Sequence, residues 1–190
     1  MTANKKIGLY FDTYDPPQNA ILNTTNLSSN MVDEVWFVID DKQSLENETF
    51  ATYEERFEML RLLTKENVKF NIISIDNVNN LTRVAIYNKL KEQYPNYIFK
   101  FIIDYTDIPK IKQWPDLGSI TDKLEVISFY PQGFKIDVDI IKTFRTTRFY
   151  KTDNQTTSKE VREKVANSEN FFEQVPLLIF EFINQNNLYK

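Results

Sequence analysis

Near-continuous apolar runs recur along this chain, separated by stretches with helical periodicity. The runs are Ile7-Gly8-Leu9-Tyr10-Phe11, Glu34-Val35-Trp36-Phe37-Val38-Ile39, Phe70-Asn71-Ile72-Ile73-Ser74-Ile75, Tyr97-Ile98-Phe99-Lys100-Phe101-Ile102-Ile103 and Glu125-Val126-Ile127-Ser128-Phe129. A weaker sixth is Thr147-Arg148-Phe149-Tyr150. Strands this apolar fit a parallel sheet buried on both faces. Their alternation with helices predicts a doubly wound α/β fold with right-handed crossovers. The expected strand order is 3-2-1-4-5, with room for a sixth strand. The ligand crevice of such a sheet lies at the carboxyl ends of the first and fourth strands.

The helices follow from capping and spacing. Thr52 can cap a helix with Glu55 as its capping-box partner, turning Phe57, Met59 and Leu60 toward the sheet. A second helix carries Val84, Tyr87 and Leu90 and stops before Pro95. A third begins near Thr157. The last runs from Pro176, at a natural first-turn position, through Ile179, Phe180 and Ile183. The helix expected from Asn19 to Met31 is rich in Asn, Thr and Ser, so tertiary contacts must hold it. There is no internal repeat or low-complexity linker, and residues 1–190 read as a single domain.

Composition excludes several chemistries. The 190 residues contain no cysteine and no histidine, which removes disulfides, thiolate nucleophiles, imidazole catalysis and most transition-metal sites. A net charge of -4 gives no electrostatic case for nucleic acid or an anionic membrane. No apolar run approaches the ~20 residues needed to span a bilayer. The N-terminus runs into a strand without the pattern of a signal peptide, so a cytoplasmic location is expected.

The segment Lys6-Ile7-Gly8-Leu9-Tyr10-Phe11-Asp12-Thr13-Tyr14-Asp15-Pro16-Pro17-Gln18-Asn19-Ala20-Ile21-Leu22 resembles the opening of the nicotinate-mononucleotide adenylyltransferases, within the nucleotidyltransferase superfamily. That family reads strand, Gly-Gly-Thr-Phe-Asp-Pro, one variable residue, then His-x-Gly-His at a helix start. Thr13, Tyr14, Asp15 and Pro16 keep the frame. Phe11 and Asp12 replace the glycines, while Gln18 and Ile21 replace the histidines. Further segments resemble the family in order and spacing: Asp33 to Val38, Glu55-Arg56-Phe57-Glu58-Met59-Leu60, Leu90 to Pro95, Phe101-Ile102-Ile103 with Trp114, and Val175-Pro176 with Ile183 and Leu188-Tyr189. The resemblance implies a Rossmann-like nucleotidyltransferase sheet of five or six mostly parallel strands.

It also implies where ligands would sit. The family's Ile-Ser-Ser-Thr-x-Ile-Arg segment corresponds to Thr156-Thr157-Ser158-Lys159-Glu160-Val161-Arg162. Its Gly-x-Asp corresponds to Asp104-Tyr105-Thr106, its Tyr-Thr-x-Asp-Thr to the region of Thr82-Arg83-Val84-Ala85-Ile86, and its Pro-Pro-His-Lys loop to that of Gln43-Ser44-Leu45-Glu46. Thr13, Asp15, Thr157, Ser158 and Arg162 are then the nucleotide-binding remnant. Catalytic residues are expected to be absent, with Gln18 and Ile21 at the degenerate positions. Phe11, Asp12 and Ile21 are expected to block the pocket, the first and last by bulk and Asp12 by charge against an anion.

Local explanations stand beside these. Asp15 can cap the first helix. Thr157 and Ser158 can serve as helix start only, although helix N-termini do attract anions. Trp114 can be packing rather than a stacking platform, and Asp137-Val138-Asp139 a first-turn acidic pair. A metal site built on Asp12 and Asp15 lacks a third ligand. Tyr10, Phe11 and Tyr14 would form an exposed apolar patch at the sheet edge if the pocket is not filled.

Sequence alone therefore favours an adenylyltransferase relative that has lost catalysis and serves as a structural or protein-interaction module. Such a module would partner another protein or a larger assembly, without nucleic acid, membrane insertion or cofactor. The alternative is a diverged but active enzyme joining nicotinate mononucleotide and ATP with Mg²⁺, with Thr13, Gln18, Ser158 and Arg162 on the phosphates. A third reading is a nucleotide sensor without turnover.

Overall fold

The computed structural model describes residues 4–40, 50–73, 81–135, 139, 142, 144, 146–152 and 156–190. Its strands are β1 (Lys6–Asp12), β2 (Glu34–Ile39), β3 (Phe70–Ile72), β4 (Ile98–Asp104), β5 (Glu125–Pro131) and β6 (Thr146–Thr152). They form one sheet in the order β3-β2-β1-β4-β5-β6, with every neighbouring pair parallel. The expected order holds, and the weak sixth run is a strand at the edge. Residues 74–75 of the third run and the Gln43-Ser44-Leu45-Glu46 loop lie outside the described residues, as do Asp137 and Val138.

The sheet is covered on both faces, and the alternation along β1 sorts the two cores. Ile7, Leu9 and Phe11 point to a core completed by Val84, Tyr87 and Leu90 of α3 (Arg83–Gln93) and by Ile108, Ile111 and Trp114. Tyr10 points to the other core, with Ile21 of α1 (Asn19–Ser28), Met59 and Leu60 of α2 (Tyr53–Thr64), Val161 of α4 (Ser158–Ala166) and Ile179 of α5 (Leu177–Gln185). Gly8 shares that second face. A Cβ there would fall 2.6 Å from Ile102 Cδ1 and 3.3 Å from Val32 Cγ2, so glycine is what lets β1 pack so closely.

Local sequence explains the helix starts. Thr52 and Glu55 form the expected capping box on α2, and Thr157 with Glu160 forms another on α4. Thr82 caps α3 through the Ala85 N–H at 3.1 Å. Pro176 occupies the cap of α5, one residue ahead of the expected first turn. Helix α1 ends at Ser28, short of Met31. Its polar residues cost little to bury because they turn back on their own helix. Thr25 Oγ1 donates to the Ile21 carbonyl at 2.9 Å, and Ser28 Oγ to the Thr24 carbonyl at 2.8 Å. Among the described residues no helix is long and apolar enough to cross a membrane.

Candidate functional site

A cleft of about 290 Å³ opens at the carboxyl ends of β1 and β4, the crevice expected for this topology. Asp12 and Thr13 enter it from the end of β1, Asp40 from the end of β2, and Asp104 through Asp107 from the end of β4. Gln18 and Ala20 come from the start of α1. Arg83 comes from the start of α3, and Thr157, Ser158 and Lys159 from the start of α4.

Two of the residues expected to plug this space are elsewhere, which corrects that expectation. Phe11 is 5% exposed and packs on Phe101 at 5.1 Å between ring centroids. Ile21 is fully buried in the opposite core. Strand alternation takes Phe11 to the α3 face, and the helical turn takes Ile21 under the sheet. Neither lines the cleft. Tyr10 and Tyr14 are buried with them, so the apolar patch expected at the sheet edge does not exist. Of the three residues expected to block the pocket, only Asp12 faces it.

The turn after β1 is an anchor. Tyr14 takes the left-handed conformation, with φ 54°, and the Asp15–Pro16 peptide is cis. Asp15 does not cap α1, whose cap is Gln18 without a side-chain bond. Its carboxylate, 2% exposed, instead accepts from the Phe50 N–H at 2.7 Å, the Ala51 N–H at 3.2 Å and the Tyr189 hydroxyl at 2.7 Å. Arg162 Nη1 donates to the Asp15 carbonyl at 2.5 Å, and Arg56 Nη1 to the Thr13 carbonyl at 3.0 Å. Asp15 and Arg162 therefore face the interior, not the cleft. Burial raises the Tyr189 hydroxyl far above its ordinary pKa, and the Asp15 charge and hydrogen bond add to the rise.

Thr13, Gln18, Thr157 and Ser158 are brought together as expected. Ser158 Oγ lies 2.9 Å from the Pro16 carbonyl and 3.2 Å from Gln18 Oε1, tying α4 to the start of α1. The Gln18 amino group has no hydrogen-bond partner among the described residues and lies on the cleft. With the first amides of α4 and the Lys159 ammonium, this wall is rich in donors suited to phosphate.

The opposite wall was not foreseen. Arg83 is 4% exposed, with Nε 2.6 Å from Asp40 Oδ2 and Nη1 3.2 Å from Asp107 Oδ2. Its guanidinium lies 4.5 Å from the Trp114 ring centroid and 5.6 Å from that of Phe11. Burial pulls its pKa down, but Asp107 and Asp40 outweigh burial and leave it raised. Lys110 Nζ sits 3.5 Å from Asp107 Oδ1 and shares that carboxylate. A cation in the first turn of a helix opposes the helix dipole. With no acidic residue in that turn of α3, Arg83 was a signal for carboxylates arriving from elsewhere in the chain.

Two further carboxyls complete the floor. Asp104 accepts a hydrogen bond from the Tyr10 hydroxyl and Asp12 one from the Thr13 N–H. Burial pushes Asp104 up to about 7, opposed by the Tyr10 hydrogen bond and reinforced by Asp12 and Asp107. Burial and the Asp107 charge push Asp12 up to about 6, against the Thr13 N–H and Arg83. Both carboxyls therefore hold protons into the range where ordinary aspartates are ionised.

Residues 9–164 match the family model described as cytidylyltransferase-like. The chain is 25% identical over 191 residues to the nicotinate-nucleotide adenylyltransferase of Bacillus subtilis and 24% identical over 191 residues to the probable nicotinate-nucleotide adenylyltransferase of Bacillus licheniformis. Each match covers 98% of this chain and 99% of the relative. Among solved structures, the Plasmodium falciparum nicotinic acid mononucleotide adenylyltransferase complexed with NaAD superposes with a TM-score of 0.83 at 20% identity, covering 98% of both chains.

Two outcomes follow from the placement of these groups. Between about pH 4 and 7 the folded protein binds more protons than the unfolded chain at Asp12 and Asp104, so stability falls as pH rises through that window. Asp104→Asn keeps an acceptor for Tyr10 and removes one titration. Its melting midpoint should fall by roughly 3 °C less than that of wild type between pH 5 and 8, read by calorimetry. Arg162→Ala removes a charge-assisted bond worth about 2 kcal/mol. The melting midpoint should drop by roughly 4–8 °C, read by calorimetry.

Proposed function

Since the chain belongs to the cytidylyltransferase-like family, we propose that it is a diverged adenylyltransferase that joins nicotinate mononucleotide to ATP. The observation that carries this reading is the open cleft at the carboxyl ends of β1 and β4, walled by the start of α4 and by Gln18. The steric half of the case for a dead site rested on Phe11 and Ile21, and both lie in the cores. Matches of near-full length to nicotinate-nucleotide adenylyltransferases support the choice of acceptor.

In this reaction an oxygen of the acceptor phosphate attacks the α-phosphorus of ATP. The bond from that phosphorus to the bridging oxygen of the β-phosphate breaks, and pyrophosphate leaves. The protein's task is alignment and charge stabilisation. The Ser158 and Lys159 amides at the start of α4, the Lys159 ammonium and the Gln18 amino group are the donors for phosphate oxygens, while the Thr157 amide and hydroxyl close the capping box and the Ser158 hydroxyl ties α4 to the turn after β1. Thr13 holds the turn from which Gln18 projects. Among the described residues no group of three or more carboxylates is arranged to hold a metal ion. In this reading magnesium enters as its complex with ATP.

One observation favours a second reading. The chain has no histidine, so Gln18 supplies a neutral donor where a cationic one would stabilise more charge. That suits nucleotide binding without turnover, or a fold kept for contacts with another protein.

Pyrophosphate release from nicotinate mononucleotide plus MgATP is the test. Turnover is expected, with Lys159→Ala lowering kcat/KM on the order of tenfold or more. A thermal shift with MgATP but no pyrophosphate would establish the sensor reading. Neither response, with co-purification in a defined assembly, would establish the interaction module.

A further inference from the structure

The floor of the cleft carries more negative charge than its cations cover. Asp12, Asp40, Asp104 and Asp107 all line it. Two of these carboxylates are answered. Arg83 joins Asp40 to Asp107, and Lys110 Nζ lies 3.5 Å from Asp107. Asp12 and Asp104 have no cation within ion-pair distance among the described residues. Asp104 is met by the Tyr10 hydroxyl and Asp12 by the Thr13 N–H, both neutral donors. The other surroundings of the pair do not neutralise it. Tyr14 is a buried phenol, and Tyr105, next to Asp104, feels the negative charge of Glu160 on α4. The Lys159 ammonium of α4 lies 3.8 Å from Glu163. Phe129 of β5 and Thr152 of β6 line the cleft without charge.

We propose that an anion entering this cleft is bound together with a proton, taken up by Asp12 and Asp104 at the floor. The proposal rests on the reading of the cleft as a phosphate site, with donors at Gln18 and the start of α4. A sphere of about 290 Å³ is roughly 8 Å across, no wider than the Debye length at physiological salt. A phosphate held by those donors therefore acts on both carboxyls with little screening. Its charge disfavours the ionised form of each and raises their proton affinity. The protonated acid gains a donor and keeps an acceptor for Tyr10. Burial has already lifted Asp104 to about 7 and Asp12 to about 6, so a further rise moves protons near neutral pH. Because the charge of Asp12 acts on Asp104, the proton belongs to the pair and not to one residue. The sign follows: a bound state that holds the proton more tightly loses affinity as pH rises.

The test uses nicotinate adenine dinucleotide, the product of the proposed reaction, with divalent ions chelated. Its diphosphate bridge carries no proton near neutral pH, so protons exchanged there are the protein's. Binding to the full chain is followed by titration calorimetry near pH 7 in buffers of unlike ionisation enthalpy. The dependence of the heat on that enthalpy counts the protons. Wild type should take up roughly half a proton or more. Its affinity should fall at least about fivefold between about pH 6 and 8. The double variant Asp12→Asn, Asp104→Asn keeps side-chain shape and an acceptor for Tyr10. It should take up almost no proton and hold its affinity within about twofold over that range. Zero uptake, or release, by wild type overturns the proposal without any variant. Failure of the dinucleotide to bind overturns it too, as does unchanged uptake in the folded double variant. Pyrophosphate release is scored separately on the same protein. Uptake without turnover leaves the proton coupling standing and removes the adenylyltransferase reading. Turnover with no uptake does the reverse.

Discussion

The Asp15 carboxylate and carbonyl hold the site's frame together. One buried residue takes hydrogen bonds from the segment entering α2, from Arg162 on α4 and from Tyr189 near the end of the chain. A buried carboxylate is costly unless its oxygens are satisfied. Here the donors come from parts of the sequence far apart, so satisfying it closes the fold around the turn after β1. That turn sets where Gln18 projects and, through Ser158, where α4 begins. The donor-rich wall of the cleft is therefore a consequence of how Asp15 is buried. Arg56 on the Thr13 carbonyl adds a second fastening to the same turn.

Most of the fold was legible in the sequence, because it rests on signals that are local. Apolar runs bounded by turns gave the strands, and Thr52 with Glu55 marked a helix start from four residues. The mostly parallel doubly wound sheet then follows from alternation. The errors have a common physical origin. Phe11 was placed in the pocket because it stands where glycines stand in the resembling family. Yet strand alternation from Ile7 and Leu9 already assigned it to the buried face toward α3. Asp15 was read as a local cap because capping is a short-range device, whereas its donors come from tens to more than a hundred residues away. Arg162 was read as a phosphate ligand from its place in a motif, while its helical face points inward. Motif position states which residues are near a site. It does not state which way they face.

The charged floor of the cleft was legible only in fragments, since each fragment taken alone is ordinary. Asp40 follows the end of β2, Arg83 opens a helix, and Asp107 and Trp114 flank the short helical stretch Ile108–Gln113. Burying these charges is expensive, and the ion pairs only partly offset that cost. Well-packed apolar residues could have closed this end of the sheet at lower cost. An arrangement that instead keeps a clamped guanidinium beside protonatable carboxyls, on the rim of an open cleft, spends stability on polarity. Such expenditure is common where a surface has to meet a ligand. One wall of the cleft offers a neutral amide, helix-start amides and a lysine, while the opposite wall carries an arginine that occupies the face of Trp114. Both walls leave the space between them open.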